Sequence, residues 1–239
     1  MMDQAYDNFK KIFVSESPIA ISEDKLQLLY AFMNEMKATN AHVNLTRIVD
    51  DRDFIEKHLL DAITCPLKED ADAILDVGSG GGIPGVPLAI CHPEKHFTLL
   101  DSTGKKMKAV EQIVNAIGLK NVSFLVGRAE DYGKDPKYRE QFDAVCARAV
   151  AAFNILDELC APFLKVGGTF YAWKGQQAEA EIAEAGQGPS LLGLGSIRTT
   201  QNLILKNATF HVIIQCDKIG STPKKYPRNY GRIVKKPLT

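Results

Sequence analysis

The sequence lacks several features that would restrict its class of function. It has no run of about 18 apolar residues, so we expect no membrane-spanning helix. Its first residues carry acids early and no apolar stretch of secretory type, so we expect no signal peptide. The five cysteines are an odd number without a CxxC pair, which argues against a disulfide framework or a zinc site. We therefore expect a cytoplasmic protein that holds no metal.

The sequence also lacks net charge, because 29 basic residues balance 29 acidic ones. This balance hides a local asymmetry. Residues 219–239, here called the basic tail, contain no acid and six bases: Lys224, Lys225, Arg228, Arg232, Lys235 and Lys236. A local cluster of cations can bind phosphates although the whole molecule is neutral, so the tail predicts a nucleic-acid contact.

Residues 1–70 have a helical pattern and no predicted strand. Apolar residues recur every three or four positions in the segment 24–37, and again in the segment 50–63. We interpret this region as a helical cap.

Residues 71–218 alternate short apolar runs with helical segments. The five predicted strands are 73–77, 96–100, 122–126, 142–146 and 169–173, and the helices between them include 105–117 and 153–164. Gly118 and the Gly167-Gly168 pair fit helix ends. Such alternation predicts a parallel sheet with right-handed crossovers. Two further strands, 196–205 and 209–216, follow so closely that they must pair antiparallel. We expect an α/β fold with a mostly parallel seven-stranded sheet that ends in an antiparallel hairpin.

The motif Asp76-Val-Gly-Ser-Gly-Gly-Gly-Ile-Pro-Gly85 follows the first predicted strand. Glycines here, among them Gly78, Gly80 and Gly82, allow a sharp turn and let a ligand approach the main chain. The spacing of Gly80, Gly82 and Gly85 also matches the dinucleotide fingerprint, so the glycines alone leave a nicotinamide cofactor open. Asp76 favours S-adenosylmethionine, because a carboxylate can accept from a cationic amino group and would repel a pyrophosphate.

The next two strand ends carry matching signals. Asp101 ends the second strand, where a carboxylate can accept two ribose hydroxyls. The third strand ends in Gly127-Arg128-Ala129-Glu130, where main-chain groups beside a polar side chain can bind an adenine edge. Three such signals on successive strand ends favour S-adenosylmethionine over a nicotinamide cofactor.

The fourth strand lacks the Asn/Asp-Pro-Pro-Tyr motif of enzymes that methylate exocyclic amines. Cys146 within it has no preceding proline, so we interpret it as a buried small side chain and not as a nucleophile. Arg148 stands at the carboxyl end of the strand, where such folds bind ligands. A salt bridge to a neighbouring helix is the alternative interpretation of Arg148.

The ordered set of motifs from Asn44 onward resembles the bacterial glucose-inhibited division protein B family, which methylates N7 of a guanine in 16S ribosomal RNA. The motifs that carry the resemblance are Asn44-Leu-Thr, Lys57-His-x-x-Asp61, DVGSGGGIPGVPLAI, LLDSTGKK, GRAED, FDAVCARAVA, WKG and Pro223-Lys-Lys-Tyr-Pro-Arg228. The resemblance implies a Rossmann-like methyltransferase core with S-adenosylmethionine as cofactor and small-subunit RNA, or the small ribosomal subunit, as partner. Gly81, Ile83, Asn229, Tyr230 and Ile233 depart from the residues usual in that family.

The resemblance implies a cofactor pocket formed by Gly78, Ile83, Asp101, Ala129, Glu130 and Arg148. We expect Arg148 to orient the reactants without a general base. Contacts to RNA are expected from Lys224, Lys225, Arg228, Arg232 and His58, although His58 is equally well explained as a histidine packed between cap and core. We expect a monomer. The other functions left open are an RNA-binding assembly factor without catalysis and a methyltransferase of small molecules.

Overall fold

The computed structural model describes residues 4–201 and 212–239. Its seven strands are β1 Ala73–Val77, β2 His96–Asp101, β3 Val122–Val126, β4 Phe142–Arg148, β5 Leu164–Lys174, β6 Leu194–Gln201 and β7 Val212–Lys218. They form one sheet in the order β3-β2-β1-β4-β5-β7-β6, and β7 alone among these strands runs opposite to its neighbours. The predicted Rossmann-like α/β fold, with its parallel strands and antiparallel terminal pair, is confirmed.

Helices cover both faces of the sheet. They are α1 Gln4–Glu16, α2 Glu23–Asn40, α3 Asp51–Phe54, α4 Asp61–Ile63, α5 Gly85–Cys91, α6 Gly104–Ala116, α7 Ala129–Tyr132, α8 Phe153–Cys160, α9 Ala178–Ala185, α10 Gly188–Leu191 and α11 Tyr230–Lys235. Within the described ranges, no helix is both long enough and apolar enough to cross a bilayer.

The amino-terminal helices pack onto the sheet and its helices as a continuous apolar layer. Phe9, Leu29 and Phe54 of the cap belong to the same buried cluster as Ile74 and Phe97 of the sheet. Burial of aromatic and aliphatic side chains of this size contributes about 1.5–3 kcal/mol each. The cap is therefore held to the core mainly by apolar contact.

The predicted helix 50–63 is present but is not uniformly α-helical. Between α3 and α4 the chain forms a π-helical segment, Ile55–Leu60, whose turns are wider than those of an α-helix. Asp50 caps α3, because its side chain accepts from the main-chain nitrogen of Asp53 at 3.0 Å.

Two details of the sequence interpretation are wrong. The helix predicted to reach residue 164 ends at Cys160, followed by a 3₁₀ turn Ala161–Phe163 that contains Pro162, which has no N–H to continue an α-helix. The Gly167-Gly168 pair does not end a helix and lies inside β5. The predicted strands 196–205 and 209–216 overlap β6 and β7, and the rest of both predictions lies with their connection in residues 202–211, outside the described residues.

Candidate active site

A cavity of about 380 Å³ opens at the carboxyl ends of β1 to β4. Strand β1 lies between β2 and β4, so the crossovers leave the centre of the sheet in opposite directions and a crevice forms there. The expected cofactor residues that line this cavity are Gly78, Gly80, Ile83, Asp101, Ala129, Glu130 and Arg148. The structure therefore brings most of the predicted site residues together in a single crevice.

The glycine-rich loop after β1 forms the floor of the cavity. The main-chain nitrogen of Gly78 donates to the Leu100 carbonyl at 2.7 Å, which holds the loop against β2. Gly78 adopts φ +71°, and a Cβ there would lie 2.5 Å from Val150 in the loop after β4. Only glycine satisfies both conditions, so this position brings the β1 and β4 loops close together.

Asp76 and Gly82, which are also expected to bind the cofactor, are buried and do not line the cavity. The Asp76 carboxylate is buried, and Oδ2 accepts from the main-chain nitrogen of Gly85 at 2.9 Å. Burial raises the pKa of Asp76 to about 7, with a further increase from Asp101 and opposing effects from the Gly85 N–H and Arg148. Gly82 is buried, and a Cβ added there would meet the side chains of Val86 and Val110. Asp76 Oδ2 thus fixes the start of α5, while Asp76 Oδ1 has no hydrogen-bond partner among the described residues. The contact of Asp76 with the cofactor therefore stays a prediction.

Asp101 lies at the end of β2 with its carboxylate on the cavity wall. Oδ2 accepts from the main-chain nitrogen of Gly80 at 3.0 Å, and Oδ1 accepts from that of Thr103 at 2.8 Å. Each carboxylate oxygen can accept more than one hydrogen bond. Asp101 is thus fixed in orientation and retains capacity for the two hydroxyls of a ribose.

The end of β3 forms the far wall. Glu130 is buried, and its Oε1 accepts from Arg128 Nε at 3.0 Å. The Arg128 guanidinium lies 4.4 Å from the ring centre of Tyr230, and both side chains border the cavity. Tyr230 comes from α11 in the basic tail, so a segment distant in sequence completes this wall.

Arg148 joins the sheet to the cap. Its Nη1 lies 2.9 Å from Asp61 Oδ2, and its Nη2 donates to the Lys57 carbonyl at 2.7 Å. Burial lowers the pKa of Arg148, while Asp61 and Asp76 raise it. A guanidinium nevertheless stays charged in proteins. The salt bridge considered as an alternative is therefore present, and Arg148 also lines the cavity.

His58 is buried in the π-helical segment and also lines the cavity. Its Nδ1 lies 3.1 Å from Arg148 Nη2, and its Nε2 lies 2.7 Å from Thr46 Oγ1. Because Arg148 can only donate, we assign Nδ1 as acceptor and the proton to Nε2. Both ring nitrogens thus have protein partners, which favours the packed histidine over the expected RNA contact.

A second cavity, of about 460 Å³, lies on the other side of the loop that follows β4. Arg148, Ala149 and Val150 border both cavities. Ala149 has φ +56°, a conformation that costs a residue with a Cβ of the order of 1–2 kcal/mol. The remaining walls of the second cavity are Ala151, Trp173, Lys174, Gly175 and Glu181. The two cavities therefore meet at a strained turn beside Arg148.

The cations of the basic tail differ in their exposure. Lys224, Lys225 and Arg232 are exposed. Arg228 is not available, because its guanidinium makes two-point contact with fully buried Glu158, with Nη2 2.5 Å from Oε2 and Nε 2.9 Å from Oε1. The expectation that Arg228 contacts phosphate is corrected: this pair anchors the tail to α8.

Some wall residues were not predicted as site residues. Thr46 and Lys106 stand in the motifs Asn44-Leu-Thr and LLDSTGKK, so their place in the order of motifs is a signal for this site. In the sequence, Tyr230 stands out only because it departs from the residue usual in the family. Its large separation along the chain from the other wall residues gives no sign that it contacts them. Cys146 is buried as predicted, and its pKa is raised by its hydrogen bond to Cys65 and by burial.

The model of the family described as rRNA small subunit methyltransferase G matches residues 25–204, about three quarters of the chain. The chain belongs to this methyltransferase G family. A relative of that name from Clostridium novyi is 38% identical over 97% of this chain and 99% of its own length. Another, from Clostridium kluyveri, is 41% identical over 91% of this chain and 92% of its own length. The family predicted from the motifs is confirmed.

Solved structures support the methyltransferase fold. An O-methyltransferase from Bacillus cereus, in complex with SAH, superposes with a TM-score of 0.58 at 17% identity and covers 89% of this chain and all of its own. A predicted O-methyltransferase from Agrobacterium tumefaciens reaches 0.53 at 18% identity, over 66% of this chain and 80% of its own. At such identity the likeness concerns the fold. As a member of the methyltransferase G family, the chain is an enzyme that uses S-adenosylmethionine.

Proposed function

We propose that this enzyme transfers a methyl group from S-adenosylmethionine to N7 of a guanine in 16S ribosomal RNA. The names of the relatives support small-subunit ribosomal RNA as the substrate. The observation that carries the proposal is the meeting of two cavities at Arg148, Ala149 and Val150. One cavity has the carboxylates and glycines suited to the cofactor, and the other can admit an acceptor base from the opposite side.

The residues of the first cavity fit the cofactor. Gly80 leaves main-chain atoms open at its floor, since a Cβ there would meet no atom closer than 3.9 Å, and Gly78 lines the same floor. Asp101 is placed to accept from the ribose, and Ala129 and Glu130 are placed to bind the adenine edge. Ile83 supplies an apolar wall, and Arg148 borders the end nearest the second cavity. When bound, S-adenosylmethionine supplies an electrophilic methyl group on sulfur.

Guanine N7 suits a site without a general base. N7 has an in-plane lone pair, so no proton has to be removed before it attacks. The carboxylates on the walls are already bonded: Asp101 to two main-chain nitrogens, Glu130 to Arg128 and Glu181 to Lys174. The protein's contribution is then to position the acceptor and exclude water, with Arg148 holding the β4 loop between the cavities.

The exposed cations of the tail support RNA as the substrate class. Lys224, Lys225 and Arg232 can each reach a phosphate without losing a protein partner of opposite charge that the structure shows. The deep major groove of A-form RNA hides N7, so we infer a target in a loop or a distorted helix.

We further propose that the enzyme acts as a cytoplasmic monomer without a metal.

Methyl transfer with labelled cofactor tests this proposal. The enzyme is incubated with bare 16S RNA or with intact small subunits, and the labelled RNA is treated with borohydride and aniline, which cleave at N7-methylguanosine. We expect label and cleavage at the same nucleotide. Label without cleavage would contradict N7, and label on small molecules but not on RNA would contradict the substrate class. Cofactor binding without any transfer would favour a non-catalytic assembly factor.

The pH dependence of the chemical step tests the mechanism. Single-turnover rates at saturating RNA and cofactor should show no pH dependence attributable to an enzyme base between about pH 6 and 8, where a histidine would titrate. His58→Gln should leave the pH profile unchanged. If this variant removed a pH limb and at least about a thousandfold of rate with binding intact, the base-free mechanism would be wrong.

A further inference from the structure

The stack of Arg128 on Tyr230 has no part in the function proposed so far. It lies at the β3 edge of the first cavity, and both side chains border that cavity. Asp101 marks the position of a ribose at the end of β2. Strand β3 lies next to β2 at the edge of the sheet, and the expected adenine-binding residues Ala129 and Glu130 follow it, so we expect the base of a bound nucleoside at the end of β3.

Arg128 is held in one orientation on two sides. Glu130 Oε1 accepts from its Nε at 3.0 Å, and the Tyr230 ring lies 4.4 Å from its central carbon. A guanidinium held between a carboxylate and an aromatic ring offers its planar surface to a base that can stack on it.

Tyr230 is itself fixed by neighbours in the basic tail. Arg228 pairs with buried Glu158, Asn229 caps α11 by accepting from the Arg232 main-chain nitrogen at 3.0 Å, and Ile233 is fully buried. The ring is thus anchored two residues before it and three residues after it, although Tyr230 is partly exposed. The fixed Tyr230 ring supports one face of the Arg128 guanidinium, so a base can stack on the opposite face.

We propose that Arg128 and Tyr230 form a stacking platform for the adenine of the cofactor, with Arg128 contacting the base and Tyr230 positioning Arg128. The platform also links cofactor binding to the tail, because residues 228–236 include both Tyr230 and a cation expected to contact RNA. Occupancy of the cofactor site therefore further stabilises the anchored segment that carries Arg232. This inference rests on the cofactor site proposed above.

Calorimetric binding of S-adenosylhomocysteine to the full-length protein tests the platform. We expect Arg128→Ala to raise Kd about fivefold or more, as for one lost stacking contact. Arg128→Lys should do the same, because lysine keeps the charge and loses the plane. Tyr230→Ala should have a smaller effect in the same direction, and Tyr230→Phe should bind like the wild type. Val234→Ala, an exposed change on the same helix, is the matched control.

Hydrogen–deuterium exchange tests the link to the tail. Saturating S-adenosylhomocysteine should slow exchange in residues 228–236 of the wild type and of Val234→Ala, but not of Arg128→Lys. A Kd within twofold of the wild type for Arg128→Lys and Tyr230→Ala would overturn the platform. An equal loss in Val234→Ala, or no change in tail exchange on binding, would also overturn the proposal. Absence of binding to the wild type would instead contradict the cofactor site itself.

Discussion

The contact between Arg148 and Asp61 joins the sheet to the cap at the point where the two cavities meet. Both side chains are nearly inaccessible, at 14% and 3% exposure. Removing one partner of such a pair leaves a buried charge without its counter-ion, which costs about 3–5 kcal/mol. This cost of about 3–5 kcal/mol therefore reflects an unpaired buried charge and not a net stabilisation by the pair. The pair's main contribution is to hold the geometry of the site.

A double-mutant cycle checks this interpretation. Arg148→Met and Asp61→Asn should each lower the free energy of unfolding by about 3–5 kcal/mol, and the double variant should lose clearly less than the sum. Urea denaturation measures all four proteins at one pH. Additivity within about 0.5 kcal/mol would show that the two charges do not depend on each other.

The raised pKa of Asp76 predicts that the free energy of unfolding depends on pH. Its pKa rises from 3.8 to about 7 on folding, so the folded state holds its proton more tightly than the unfolded state. That contribution is complete below about pH 4 and disappears as the pH rises to about 7, at no more than about 1.4 kcal/mol per pH unit. The free energy of unfolding should therefore decline over this window.

Asp76→Asn should make the decline shallower, because asparagine can still accept from Gly85 and cannot ionise. Denaturation at steps from pH 4 to 8 measures the slope. Asp157, whose pKa burial also raises to about 7, should keep part of the decline in this variant. Identical slopes for the variant and the wild type would show that Asp76 is charged in the folded protein throughout.

Single residues were predicted well where spacing alone determines position. Asp101 had to end the second strand, and Gly78 had to begin the loop after the first. The burial of Asp76 and Gly82 was not predicted, because the depth of a residue in a tight loop depends on the packing of distant side chains around it. Arg228 was misassigned, since nothing local to the tail shows that its partner is Glu158, 70 residues earlier.

At the scale of elements, the π-helical segment explains how the cap reaches the active site. Its wide turns place the Lys57 carbonyl and the His58 ring where both meet Arg148 Nη2. The apolar periodicity of residues 50–63 predicted a helix, but one extra residue within a turn leaves no clear signature in such a pattern. The strands, by contrast, were located by their apolar runs to within a few residues, except for β5, which starts five residues earlier than predicted.

The glycine-rich loop gives a prediction from two adjacent positions. A Cβ on Gly82 would lie 2.8 Å from Val110 and 2.9 Å from Val86, at φ +81°. We expect Gly82→Ala to lower the free energy of unfolding by about 2–5 kcal/mol, from strain and overpacking together.

Gly81→Ala is the matched control for this loop. Its Cβ would lie 3.0 Å from the Leu45 carbonyl oxygen, at a φ that alanine accepts, so we expect a loss of about 1 kcal/mol at most. Thermal and urea denaturation of the two variants measure and compare their losses in the free energy of unfolding. Equal losses would mean that the loop adjusts to a side chain at Gly82.

At the scale of the whole molecule, the tail serves both the fold and the substrate. Lys224→Ala with Lys225→Ala should flatten the plot of log affinity for 16S RNA against log salt by up to about 1.4–1.8. Arg228→Ala should leave that slope unchanged and instead lower the free energy of unfolding by about 3–5 kcal/mol, because Glu158 loses its partner. Filter binding between 50 and 200 mM salt, with denaturation in parallel, separates the two effects. A flattened slope for Arg228→Ala would show that Arg228 does contact an RNA phosphate.

The far wall of the first cavity has a consequence for the timing of biosynthesis. A chain emerges from the ribosome amino terminus first, so the cap and the early strands can begin to pack while the tail is still being made. Tyr230 borders the cavity, and its anchor Ile233 follows three residues later. A nascent chain can therefore bury most of its core well before its cofactor crevice is complete. The crevice closes only when residues 228–233 have left the exit tunnel, so an unfinished enzyme is folded in large part before it can hold its methyl donor firmly.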